Sequence, residues 1–160
     1  MLRRQFPAVA AAVAALALGA GAALAASPHD GAWESTAEGT YWSNGQLPKD
    51  FKLTLNLKFG DNRLQYHSVN TTRPDKPFLT DYETSLDGKP NPFTGQPRFD
   101  QISVTRLGPD EFQILKLKGG DVIIGEFWTF SADGKTLVRR GVAKSPEGIS
   151  KAYQETFIRK

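Results

Sequence analysis

Phe51-Lys52-Leu53-Thr54-Leu55-Asn56-Leu57-Lys58-Phe59 carries apolar residues at every odd position and polar residues at every even one. A β-strand sends successive side chains to opposite faces, so this stretch reads as a strand with one buried and one wet face. Gly60-Asp61-Asn62 then turns the chain, and Leu64, Tyr66 and Ser68 continue one face of a returning strand. The two segments form a hairpin.

The same pattern extends in both directions. Residues 78–86 carry Thr, Tyr and Leu before an Asp87-Gly88 turn, and residues 99–107 carry Ile102 and Val104 before Gly108-Pro109-Asp110. Segments 111–118 and 121–130 flank Gly119-Gly120, a two-residue hairpin signal. Segments 136–143 and 151–159 complete the series, separated by Ser145-Pro146-Glu147-Gly148. With a short strand around Trp33, the chain is expected to hold eight to nine strands and no helix. Short strands joined by tight turns fit an antiparallel sandwich or an up-and-down barrel, and hairpin following hairpin with few long crossovers favours the all-β, antiparallel up-and-down barrel. Residues 87–98 pack three prolines and two glycines into one connection, expected to be an irregular loop over one end of the barrel.

The first 25 residues read differently. Arg3 and Arg4 precede an uncharged, alanine-rich run, and Ala23-Leu24-Ala25 offers a small-residue cleavage site. This is the layout of a secretory signal over residues 1–25, leaving residues 26–160 as one domain with no membrane span after cleavage. Arg3-Arg4-Gln5-Phe6 also fits a twin-arginine leader, so export by the general secretory or the twin-arginine route is expected. A periplasmic or secreted location follows.

Charge and composition exclude several classes. The whole chain has a net charge of +3, but without the leader it falls to +1, with acids and bases interspersed; this is not a nucleic-acid-binding distribution. There is no cysteine, hence no disulfide, thiolate site or cysteine nucleophile. Of the two histidines, His29 is placed in a frayed N-terminus, and His67 falls opposite the Leu64/Tyr66 face, toward solvent. No metal-ligand spacing, nucleophile elbow or phosphate-binding glycine loop is present. No catalytic residue, metal or cofactor is therefore assigned.

Leu86-Asp87-Gly88-Lys89-Pro90, Thr94-Gly95, Ile102-Ser103-Val104-Thr105-Arg106 and the run from Thr129 to Leu137 resemble a family of exported bacterial lipocalin-like (calycin-type) domains, largely uncharacterised. The resemblance extends from Gly31-Ala32-Trp33 to the final strand. It implies a lipocalin-like barrel closed at one end by Gly31 and Trp33, with Arg159 packed over the indole. It brings no catalytic residues.

Polar residues on apolar faces are the remaining signal. Glu126 shares parity with Val122, Ile124, Trp128 and Phe130, and Glu155 shares it with Tyr153, Phe157 and Arg159. If those faces point inward, carboxylates enter the barrel and need partners, for which Arg139 is a candidate. The candidate ligand-binding residues are Tyr66, Tyr82, Phe93, Glu126, Trp128, Phe130, Arg139 and Glu155, with Phe93 capping the mouth or anchoring its loop. Two functions stay open: a barrel that binds a small hydrophobic or amphipathic ligand in the cell envelope, or a filled barrel that binds a protein partner through segments such as Tyr41-Trp42-Ser43-Asn44-Gly45.

Overall fold

The computed structural model describes residues 26–160; the expected leader lies outside the described residues. Ten strands follow in order: β1 (Gly31–Trp42), β2 (Leu53–Phe59), β3 (Arg63–Asn70), β4 (Phe78–Ser85), β5 (Asn91–Pro92), β6 (Gln101–Arg106), β7 (Glu111–Lys118), β8 (Asp121–Phe130), β9 (Thr136–Lys144) and β10 (Ser150–Arg159). All pairings are antiparallel, in the sheet order β4-β3-β2-β1-β10-β9-β8-β7-β6-β5. The chain is thus an up-and-down meander whose first and last strands pair and roll the sheet into a nearly closed barrel. The strand beyond the expected nine is the two-residue β5, inside the proline-rich connection.

The barrel has one seam, between β4 and β6. Near Leu86 it is bridged, because Arg106 N donates to Leu86 O at 3.2 Å and Gly88 N to Val104 O at 2.9 Å. Further along β4 no such ladder continues, and the 87–98 connection runs beside the gap. Tight turns close the other hairpins. Gly119 and Gly120 both have positive φ, 55° and 85°, the geometry that a two-residue primed turn demands and that glycine adopts without a Cβ clash.

The alternation in β2 is realised: Leu53, Leu55, Leu57 and Phe59 are buried, while the intervening residues are not. Two bulges modify the pattern elsewhere. In β1, Thr36 pairs with Thr156 but Tyr41 already pairs with Gln154, so extra residues are looped out. Trp33 and Trp42 are an odd number of residues apart and would face opposite sides of a regular strand. The bulge turns both inward. In β8, Lys116 pairs with Ile124 and Leu117 with Val122, which leaves Ile123 as the extra residue. Val122 is therefore exposed, a correction to its expected place on the Glu126 face.

One half of the barrel is solid. Trp33 (0% exposed), Phe59, Phe112 and Phe130 meet there, with Phe130 5.2 Å from Trp33 and Phe59 4.9 Å from Phe112 between ring centroids. Leu55, Leu64, Ile114, Leu137 and Phe157 complete the packing. His29 is not frayed: it is 4% exposed and stacks on Phe130 at 4.1 Å. Its Nε2 lies 2.9 Å from the Pro109 carbonyl, which can only accept, so Nε2 carries the proton. Arg159 spans this end with its guanidinium 5.4 Å from the Trp33 ring centroid, donating to Pro28 O at 2.7 Å and Gly134 O at 3.2 Å. Gly31 sits under the same side chain.

Candidate functional site

The opposite half of the barrel is hollow. A cavity of about 450 Å³ opens at the end where the β1–β2 and β9–β10 connections meet. Its collar carries the apolar side chains of Trp42, Phe51, Phe78 and Ile124, interrupted by Asn70, Gln96, Arg98 and Lys151, and its floor is charged. The volume lies within the usual range for a small-molecule site.

Four ionic side chains, one from each of the successive strands β7 to β10, make the floor. Lys116 on β7 donates to Glu126 Oε1 on β8 at 3.0 Å, and the Trp128 indole donates to Oε2 at 2.8 Å. Arg139 on β9 has its Nε 3.8 Å from Glu126 Oε2 and donates from Nε at 3.0 Å to Glu155 Oε2 on β10, with Nη2 bonded to the same oxygen. Trp42 Nε1 donates to Glu155 Oε1 at 3.0 Å. These contacts follow from register, since Glu155 pairs with Arg139 and Arg139 with Trp128 across adjacent ladders. Each carboxylate thus receives a cation and an indole N–H.

The cluster is balanced in charge: two cations, two carboxylates. Burial by itself would raise the Glu126 carboxyl, but Lys116 and Arg139, with the Trp128 hydrogen bond, outweigh it and hold the group at about 2. Burial likewise opposes the charge on Arg139, and Glu155 and Glu126 more than offset it, leaving the guanidinium firmly protonated. Burial pushes the phenols of Tyr82 and Tyr153 above their ordinary value. Tyr82 stacks on Tyr66 at 4.5 Å, and its hydroxyl is buried with no hydrogen-bond partner among the described residues.

Of the residues singled out from sequence, Tyr66, Glu126, Arg139 and Glu155 line this cavity. The other four do not. Phe130 lies in the solid half, stacked under His29. Trp128 is buried behind the floor, where it serves Glu126. Tyr82 packs between Tyr66 and Phe93. Phe93 does not cap the mouth; it is buried beneath its own loop, stacked on Phe99 at 4.7 Å. The Tyr41-Trp42 segment is only half exposed as expected: Tyr41 is 54% exposed, whereas Trp42 turns into the cavity.

Sequence parity did not single out Lys116 and Trp42. Lys116 shares parity with Phe112 and Ile114, so the rule that found Glu126 also reaches it. Trp42 was hidden by the β1 bulge. A second concavity, of about 460 Å³, lies on the outer face of β2–β4 over the exposed His67–Asp81 pair. It is open and faces solvent; within it His67 pairs with Asp81, and Glu83 is held by Arg63 from outside. Among the described residues there is no cluster of metal-ligating side chains, and no helix is long and apolar enough to cross a membrane.

No protein-family model matches the chain, and no curated protein matches it significantly. Solved structures do. Zebrafish ileal bile acid-binding protein complexed with cholic acid is 16% identical, with a TM-score of 0.55 over 84% of this chain and 99% of that one. Lipid binding protein 8 of Caenorhabditis elegans, without ligand, is 11% identical, with a TM-score of 0.53 over 83% of this chain and 96% of that one. The fold is therefore an antiparallel barrel of the lipocalin/calycin type, like those of lipid- and bile-acid-binding proteins. The expected membership in an exported bacterial lipocalin-like family is corrected: the likeness runs to these animal lipid-binding barrels instead. The expected periplasmic or secreted location rests on residues 1–25, which lie outside the described residues, and it is corrected too: the solved structures that match are animal bile-acid- and lipid-binding proteins, not exported bacterial ones.

Proposed function

We propose that this chain binds one small amphipathic molecule in the hollow half of its barrel. The observation that carries this reading is the juxtaposition of the collar's apolar side chains and a charge-balanced floor around a cavity of about 450 Å³. A core that needed only stability would fill this space, as the other half is filled, since empty volume and buried ions both cost free energy. The apolar part of a ligand would lie against Trp42, Phe51 and Ile124, and its polar atoms would meet groups already held in place. The zebrafish relative's complex with cholic acid supports this reading by analogy of fold.

The test is a fluorescence titration of the full chain with 8-anilinonaphthalene-1-sulfonate, followed by competition with cholic acid. A saturable one-to-one enhancement is expected. Ser68 is buried and faces the cavity, so Ser68→Phe should occupy the space and abolish the signal while the far-ultraviolet spectrum stays unchanged. Binding that is non-saturable, or equal in Ser68→Phe, would overturn the reading.

A further inference from the structure

A larger outer basin of about 1160 Å³, built by the β7–β8 and β9–β10 turns and the segment around Pro97, adjoins the cavity. Three residues border both spaces: Arg98, Ala143 and Lys151. Anything entering the barrel by this route passes between one small side chain and two cations.

Those two cations differ from every other one lining the two spaces. Lys116 and Arg139 are neutralised within the floor. Lys118 has Asp100 at 3.7 Å, and Lys144 has Asp121 at 2.7 Å. Arg98 donates only to the Lys144 carbonyl, at 3.3 Å. Lys151 holds its ammonium 2.9 Å from the centroid of the Trp42 ring. Among the described residues neither has a carboxylate within ion-pair distance. An indole face is a weak substitute for a carboxylate. Burial, together with the nearby Arg98, pushes the Lys151 ammonium below its ordinary value despite the opposing pull of Glu155, so the two charges are mutually unfavourable as they stand.

We propose that Arg98 and Lys151 form an anion clamp at the threshold, and that the ligand is an amphipathic anion whose carboxylate or sulfonate stops there while its apolar body enters the barrel. This rests on the binding function proposed above. The floor does not compete for the anion, because its cations already hold Glu126 and Glu155. Lys151 leaves the Trp42 face for the anion and thereby opens the collar's apolar side chains to the ligand body. Arg98 and Lys151 are thus specificity-determining residues, selecting anionic over neutral or cationic amphiphiles.

Three probes with one apolar body separate this proposal from the reading beneath it: decanoate, decanol and decyltrimethylammonium, titrated calorimetrically into the full chain. Decanoate should bind roughly tenfold or more tighter than decanol, and the cation should bind weakest. Arg98→Met and Lys151→Met keep the apolar stems and remove the charges. The double variant should lose that advantage for decanoate and retain decanol, which also shows that it is folded. Equal binding of decanoate and decanol, or a double variant that still prefers decanoate, overturns the clamp and leaves the cavity function standing. Failure of all three probes to bind overturns both.

Discussion

Replacing Glu126 by glutamine removes one charge from the floor and almost no volume. The side chain is 2% exposed, and Lys116 beside it is buried as well. The uncharged amide would leave the Lys116 ammonium desolvated without a counter-charge, since its only carboxylate contact among the described residues is Glu126 at 3.0 Å. Breaking one side of a buried pair costs about 3–5 kcal/mol. The carboxyl's own displacement agrees: its fall from 4.5 to about 2 represents on the order of 3 kcal/mol of coupling to folding. For a domain of this size that lowers the melting temperature by roughly 10–20 °C. Urea denaturation at pH 7, with circular dichroism as the probe, measures it. Adding Lys116→Met should recover most of the loss, because Arg139 and Glu155 then remain as a self-contained pair. The effect also has a pH signature. The folded carboxyl ionises below the unfolded one, so the native state binds fewer protons between about 2 and 4.5, and stability rises with pH across that window. The difference between wild type and Glu126→Gln should therefore be full above pH 4.5 and shrink as the pH falls toward 2. A loss below about 1 kcal/mol at pH 7, or a difference that does not change with pH, would refute a desolvated floor.

Three other substitutions test the surrounding structure. A Cβ on Gly141 would collide with the Gly125 carbonyl and lie 2.9 Å from the Tyr153 hydroxyl, so Gly141→Ala should cost about 1–3 kcal/mol by urea denaturation. Tyr82→Phe deletes a buried hydroxyl that has no partner among the described residues, and should leave stability unchanged or raise it by up to about 1 kcal/mol in the same assay. Arg159→Met removes the cation over Trp33 and the bonds to Pro28 and Gly134, so the melting temperature should drop by several degrees while amphiphile affinity in the hollow half stays constant.

The barrel was legible because strand alternation survives wherever the ladder is regular. Phe51 to Phe59, the Gly119-Gly120 hairpin and the even spacing of turns lead directly to an up-and-down meander. Parity also brought Glu126 and Glu155 inside, and register supplied Arg139 as the partner of Glu155. What parity does not encode is height along the barrel axis. Phe130 and Glu126 share a face, yet one lies in the solid half and the other on the cavity floor. Bulges hide the rest: a looped-out segment in β1 brought Trp42 inward, and Ile123 sent Val122 outward. His29 had no periodic signal because its place is fixed by Pro109, distant in sequence, and by the Phe130 face. The leader and the turn motifs directed the reading to an exported family, whereas backbone geometry aligns the barrel with bile-acid- and lipid-binding proteins.

The most direct test of a ligand site inside the barrel is a backbone-amide chemical-shift map of the full chain, with and without saturating decanoate. Shifts should cluster at Ser68, Lys116, Glu126 and Tyr153 around the cavity and be absent at Trp33, Phe59 and Phe130 in the solid half. Shifts confined to the outer face around His67 and Asp81, or none at saturation, would contradict it.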